Sequence, residues 1–326
     1  MGFLRKLFTG KEDDNNEKSE KNFDILKYDG IKALSSCSCN IDYAIACFTH
    51  ALDIREDVET REYLAKALLA KGDETGALEI YKKLQELQPE EPLHHIRMAQ
   101  VAFQMEDYQA METACNNALV INKDLALPHY LLAMKAKAKH DVFTAIAEST
   151  KAISAKSDFY DAYMLRAQIL YAMQQYAEAE KDIDIILSNT EPTEETVLLK
   201  GQICASLGKN EDAITRFRDI IEFNPFVISA YTELATLLIR IGNNNEAEQI
   251  ITEALEHNPE SAELYKISGA IKYAKGETIG ATEDIKKSLE IAPEEAEKYT
   301  GEFTNFKKKM LDAYNNINPY NVGIKI

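Results

Sequence analysis

The feature that most constrains this chain is a column of small residues that returns at a fixed interval. Ala65, Ala99, Ala133, Ala167, Gly201, Ala235 and Gly269 follow one another at 34 residues without exception, and Ala33 extends the series toward the N-terminus. A second column runs beside it: Ala44, Ala77, Met111, Ala145, Ala179, Ala213, Ala247 and Ala281, in which only Met111 is large. Two antiparallel helices with axes about 8–10 Å apart must meet over residues that let their backbones approach. The two columns therefore read as the seam of a helix–turn–helix hairpin. A leucine at Ala167 or Ala213 is expected to overpack that seam at a cost of about 1–3 kcal/mol.

The clearest copy of the unit runs from Ile228 to Glu260. Tyr231, Leu234, Ala235 and Leu238 recur at helical spacing, and Gly242 with a run of asparagines interrupts them. Ala247, Ile251 and Ala254 then open a second amphipathic helix, which Pro259 closes. A further column, Phe48, Tyr81, Cys115, Ser149, Ile183, Phe217, Ile251 and Ile285, fills the gap toward the next unit. Helix stops recur near Pro89, Lys123, Ser157, Pro192, Pro225, Pro259 and Pro293. One hairpin alone has two apolar faces and cannot bury both, whereas a stack of hairpins can.

Composition narrows the function. Of the 326 residues 45% are hydrophobic, which excludes a disordered chain. The formal charge of −17 speaks against nucleic acid and against adsorption to anionic lipid, both of which need clustered Lys and Arg. Part of the acidity sits where helices should begin, at Glu90-Glu91, Glu194-Glu195 and Glu294-Glu295, where carboxylates complement the helix dipole. Five cysteines (Cys37, Cys39, Cys47, Cys115, Cys204) form no even framework, so they read as reduced thiols. No apolar run approaches the roughly 18 residues of a membrane span. The N-terminus lacks the apolar region of a signal peptide, and Lys6 stands where a myristoylation signal wants Ser or Thr. The expected location is cytoplasmic.

Four segments follow. Residues 1–22 are expected to be a flexible N-terminal segment: MGFLRKLF forms a short amphipathic patch, too short to be a stable helix alone, and a polar linker follows it. Residues 23–293 hold the repeats. Residues 294–316 carry one apolar stripe, Tyr299, Phe303, Phe306 and Met310, which suits a helix capping the end of the array. Residues 317–326 are an irregular tail.

The period and the small–large pattern of these columns resemble tetratricopeptide repeats, in eight copies. The first copy departs from the pattern by extra residues at its turn (Ser35 to Asn40). The third and fourth carry His95 and His129 where the family usually has an aromatic. The resemblance implies an all-α solenoid forming a right-handed superhelix, whose first helices line a concave groove for an extended peptide or a partner helix. By register, the central lining is Leu93, Ile96, Gln100, Phe103, Leu127, Tyr130, Met134 and Lys137, continued by Met164, Gln168, Tyr171, Leu198 and Gln202. Outer units are more polar, with Glu59, Glu62 and Lys66 at one end and Thr232, Thr236 and Lys266 at the other. An apolar centre with polar flanks fits a hydrophobic anchor. The glutamines stand where the family often places an Asn that reaches the ligand backbone; the bland alternative is that such side chains pack against the neighbouring first helix. The Lys/Asn/Arg set that clamps a C-terminal carboxylate in some members is missing, since Glu62 and Ile96 occupy positions where Lys would be expected.

Catalytic and cofactor motifs are not found. Gly201 and Gly208-Lys209 lack the spacing of a phosphate loop, and Asn210 replaces its Ser or Thr. Cys37, Cys39, Cys47 and His50 are the most tempting metal set, but two to three helical turns separate the two pairs. His94, His95 and His129 read as packing residues, with no Asp or Glu spaced to make a general base. The expected function is a non-catalytic protein–protein interaction scaffold, without cofactor, metal or nucleic acid, that binds a largely apolar peptide or helix. The alternative is a membrane-peripheral assembly factor whose only membrane contact is residues 1–9. An enzyme or an RNA-reading array is the third reading, and the charge opposes it. The partner and the oligomeric state are not written in the sequence.

Overall fold

The computed structural model describes the backbone of residues 3–35 and 40–293, and the side chains of residues 19–35 and 40–293. The C-terminal stripe and tail, the turn cysteines Cys37 and Cys39, and the side chains of MGFLRKLF lie outside the described residues. Among the described residues there are sixteen helices and no strand. The chain divides into two compact units, Met1–Ala162 and Tyr163–Ile326.

In the first unit α1 (Phe3–Ser35) packs on α2 (Ile41–Ile54), and α3 (Val58–Lys71) on α4 (Glu74–Leu87). Then α5 (Pro92–Gln104) packs on α6 (Tyr108–Ile121), and α7 (Ala126–Ala138) on α8 (Val142–Ala155). The helix α9 (Tyr160–Ala172) crosses the boundary, and α10 (Tyr176–Asn189) follows it. The second unit continues with the pairs α11 (Glu194–Ser206) and α12 (Asn210–Phe223), α13 (Ile228–Arg240) and α14 (Asn244–His257), and α15 (Ala262–Ala274) and α16 (Thr278–Ile291). Within each unit the second helix of one pair also packs on the first helix of the next, as a stack of hairpins requires.

Each hairpin from the second onward turns through the same device. One residue per turn takes a left-handed conformation, at Gly72, Glu106, His140, Gln174, Gly208, Gly242 and Gly276, with φ from 56° to 85°. The residue after it donates its backbone N–H five positions back, as Asp73 does to Leu68 O at 2.9 Å and Asp107 to Ala102 O at 2.8 Å. That bond closes the end of the first helix in a Schellman-type cap. In three turns this same residue is an aspartate that starts the second helix: Asp73, Asp107 and Asp141 accept from the backbone N–H of Gly76, Ala110 and Thr144. One short segment thus ends one helix and begins the next, which leaves no slack in the hairpin.

Both small columns form the seam. Ala65, Ala99, Ala133, Ala167 and Ala235 on the first helices, and all of Ala44 to Ala281 on the second, Met111 included, are fully buried. The first hairpin needs a correction. The residue that meets Phe48 is not Ala33 but Gly30: a Cβ built on Gly30 would stand 2.5 Å from the Phe48 ring. Ala33 is only half-buried. The extra turn residues shift the register by about one helical turn, so the fixed interval cannot be extrapolated across them. A Cβ on Gly201 would meet the Phe217 ring at the same 2.5 Å. Glycine therefore stands wherever the facing residue of the third column is phenylalanine.

The N-terminal segment also differs from expectation. The helix α1 begins at Phe3 and takes in residues 9–22, whose polar composition marks a linker. No proline interrupts this stretch, and most of its residues are tolerated in helices. It joins the array through Phe23, which is fully buried beneath the Arg55 guanidinium at 3.8 Å from the ring centroid.

Candidate functional site

The residues expected to line a groove lie on first helices and are described within each unit. In the first unit, α5 carries Leu93, Ile96, Gln100 and Phe103, and α7 beside it carries Leu127, Tyr130 and Met134. Ile96 is buried at 7% exposure, whereas Phe103, Leu127, Tyr130 and Met134 are half-buried and Leu93 is exposed. Phe103 and Leu127 rest on the cluster built around Ala99, Met111 and Leu131. The Tyr130 ring lies 5.0 Å from that of Phe159, and Phe103 meets Tyr108 edge-on at 6.2 Å. Phe103 and Leu127 thus rest on one cluster, and Tyr130 packs on Phe159.

In the second unit Met164, Gln168 and Tyr171 lie on α9 and Leu198 and Gln202 on α11, all half-buried. The glutamine column is already engaged within the protein. The Gln168 amide donates to Glu195 at 2.7 Å, and the Gln202 amide donates to Glu233 at 2.7 Å, each reaching the next first helix. Gln100 accepts from the Arg97 guanidinium at 3.0 Å. For these three residues the packing alternative describes the contacts made. Of the polar flanks, Glu59 binds Lys27, and the Lys66 ammonium lies 5.1 Å from the Tyr63 ring centroid.

Sequence reasoning missed several features. The apolar side chains standing furthest into solvent belong to second helices: Phe223 (90% exposed), Val120 (82%), Ile279 (78%) and Phe143 (75%). The reading that no Asp or Glu is spaced to serve His95 or His129 as part of a general base did not anticipate a carboxylate beside His129. His129 Nδ1 lies 2.7 Å from Glu148 Oε2, and Lys151 donates to the same carboxylate at 2.7 Å. Glu148 sits 19 residues further on, across the hairpin rather than along the helix, so local spacing could not show it. The sets of other hairpins are likewise structural: Arg166 makes a two-pronged bond to the buried Asp182 at 2.8 and 2.7 Å.

His94 and His95 are buried at 1% and 6% exposure, and burial holds both below the ordinary imidazole value. His94 Nε2 lies 2.9 Å from Gln88 Oε1. Cys47, Cys115 and Cys204 are free and buried, and burial pushes the Cys115 thiol up to about 12. Of the tempting metal set, Cys47 is buried while His50 is exposed and faces Asp53 at 3.5 Å. No helix among the described residues is long and apolar enough to cross a membrane.

Hairpins of one length, closed by one turn and stacked within each unit, define a helical-repeat protein of the α-solenoid class. A family model for the tetratricopeptide repeat matches residues 228–261, the same stretch in which the pattern is clearest. The fold recurs in a tetratricopeptide repeat protein from Parabacteroides merdae, at 21% identity and a TM-score of 0.55, covering 72% of this chain and 93% of that one. It recurs in pilF of Pseudomonas aeruginosa (13% identity, TM-score 0.54, 65% and 96% covered). The Cut9-Hcn1 hetero-tetramer of the APC/C shares it as well (12% identity, TM-score 0.52), with 78% of this chain covering 50% of that one. No curated protein is similar enough in sequence to be matched. One repeat of the chain thus matches the tetratricopeptide-repeat model, and its fold is the one that tetratricopeptide-repeat proteins share.

Proposed function

We propose that the protein is a non-catalytic interaction scaffold whose first helices take an apolar peptide or helix of a partner protein. The observation that carries this reading is that Phe103, Leu127, Tyr130 and Met134, on the neighbouring first helices α5 and α7, are all half-buried. Large apolar side chains held from below and left partly open above offer a preformed anchor site, and Met134 adds adaptable packing. One of the proteins sharing this fold, Cut9, is a subunit of a hetero-tetramer, which supports a protein partner. Buried free thiols suit the reducing setting of the cytoplasm.

The test is site-specific crosslinking in the native cell. A photo-crosslinker at Tyr130 should capture a partner that one at the exposed Phe143 does not. Tyr130→Glu with Met134→Glu should abolish the capture while leaving helicity and melting intact. Undiminished capture by the double variant refutes the site.

A further inference from the structure

One junction between hairpins departs from a pattern that the others keep. Two residues before the first helix of a hairpin stand Glu56, Glu90, Asp124, Asp158 and Glu260, with Pro192 before the sixth. An acid there complements the positive end of the helix that follows. Before the seventh hairpin the place is taken by Phe226, and α13 starts behind Val227 with no side-chain cap bond. The ring does not fill the core in exchange: Phe226 is 64% exposed, and Phe223, at the end of α12, is 90% exposed. The Phe226 ring meets His257, at the end of α14, edge-on at 5.9 Å. Three residues of chain span at most about 11 Å, so Phe223 belongs to the same small area. Glu222, Glu256 and Glu260 lie within three residues of one of these rings, all exposed, and none forms an ion pair among the described residues. The arginines of α12 are engaged elsewhere, Arg216 with Asp219 and Arg218 with Glu246.

We propose that this junction is a docking surface for an arginine of a partner polypeptide, whose guanidinium stacks on the exposed phenylalanine rings and pairs with the carboxylates around them. The chain already uses this combination twice on its own arginines. The Arg55 guanidinium lies 3.8 Å from the Phe23 ring centroid and binds Glu20, and Arg166 lies 5.6 Å from the Tyr163 ring and binds Asp182. At the α12–α13 junction the ring and the carboxylate recur, and no arginine of the described residues joins them. A guanidinium suits both partners, because it is planar, weakly hydrated and always charged. A purely apolar partner would desolvate the carboxylates without compensation. The charge of −17 draws a cationic segment toward the chain and opposes a second copy, an anionic lipid surface or a nucleic acid at the same place. Single exposed apolar side chains are ordinary, but two phenylalanines at one junction, one of them in place of a helix-starting acid, are not.

The probe is the peptide acetyl-Leu-Arg-Leu-Arg-Leu-amide, titrated into the full chain carrying ring-labelled phenylalanine and followed by NMR. Saturable shifts of the Phe223 and Phe226 rings are expected, with a low-millimolar Kd that weakens as salt is raised. The citrulline analogue, which keeps the shape of arginine without its charge, should bind at least about tenfold more weakly. Phe226→Glu restores the acid of the other junctions and adds negative charge, yet it removes a ring and should also weaken binding at least about tenfold. Both rings are exposed, so this variant and Phe223→Ser should keep the helicity and melting of the wild type. Absent shifts, equal binding of the citrulline peptide, or undiminished binding by Phe226→Glu overturns the proposal. Self-association of the wild type in sedimentation, lost in Phe223→Ser, would assign the surface to a second copy and overturn it as well. The Tyr130→Glu, Met134→Glu variant should leave the shifts unchanged, which separates this junction from the first-helix site.

Discussion

Replacing Gly201 with alanine tests whether close approach, rather than conformational freedom, keeps that position small. Gly201 is helical and fully inside α11, so its backbone needs no glycine, and alanine should gain about 1 kcal/mol of helix propensity. Against this stands the ring of Phe217, fully buried, with its Cε1 only 2.5 Å from the new Cβ and its Cδ1 and Cζ at 3.0 Å. A rigid buried ring cannot swing away as a flexible chain end could, so overpacking should cost about 1–3 kcal/mol. The net effect is a destabilisation of about 0–2 kcal/mol. Phe217→Ile alone leaves a void and should cost about 1–2 kcal/mol. Adding Gly201→Ala to Phe217→Ile recreates the pairs Ala167 with Ile183 and Ala235 with Ile251 that neighbouring hairpins use. In that background the alanine should stabilise. The double-mutant cycle should therefore show a coupling of about 1–3 kcal/mol. Amide hydrogen exchange in α11 and α12 reads it locally, each 1.4 kcal/mol being about tenfold in protection. If Gly201→Ala stabilises by the same amount in both backgrounds, the close approach is not what selects glycine there.

Two further perturbations probe the turns and the ion pairs. Glu106, His140 and Gln174 hold left-handed conformations at φ 56°, 59° and 61°, where four other turns have glycine. Changing all three to glycine should relieve about 1–2 kcal/mol each, partly offset by about 0.5–1 kcal/mol of added chain entropy, and raise the melting temperature by a few degrees. A triple variant melting at or below the wild type would contradict this. Glu180 receives Lys209 at 2.6 Å and Lys200 at 3.0 Å. Burial tends to raise its carboxyl, but the two lysine bonds outweigh that and hold it below the usual glutamate value. Its contribution is then complete above the unfolded value, about 4.3, and disappears as pH falls through the lower folded value. Denaturant melts of wild type and Glu180→Gln should differ most at pH 6 and draw together as the pH is lowered progressively below about 4.3; a gap that stays constant would sink this account.

How much of this could be read from the chain follows from what a period encodes. The seam was legible because each of its positions tolerates only a small residue, and residues 65 to 281 keep one phase. The turn was only half legible. Gly72, Gly208, Gly242 and Gly276 announce a left-handed residue, but Glu106, His140 and Gln174 hide the same conformation under side chains that seldom adopt it. Gly30 was missed for a different reason: the inserted residues of the first turn break the phase, and only the position of the Phe48 ring restores it. The candidate strip was legible as a set of first-helix positions, yet not the engagement of Gln168 and Gln202 by Glu195 and Glu233, because those bonds join side chains 27 and 31 residues apart.

The same logic explains where function can enter such a chain. At seam positions every hairpin must give nearly the same answer, since two helices share the space and an error there is felt as overpacking. One helical turn away, at His95, His129 and Tyr231, the constraint is looser: His95 and Tyr231 are buried and His129 half-buried, and the polar tip can be satisfied in several ways. Two hairpins satisfy it internally, with Glu148 and Glu253. The third pairs His95 with Ala114 and leaves its Nδ1 buried with no hydrogen-bond partner among the described residues, at a cost of about 1–3 kcal/mol that the stack carries. It is off the seam, then, that one repeat can come to differ from the next.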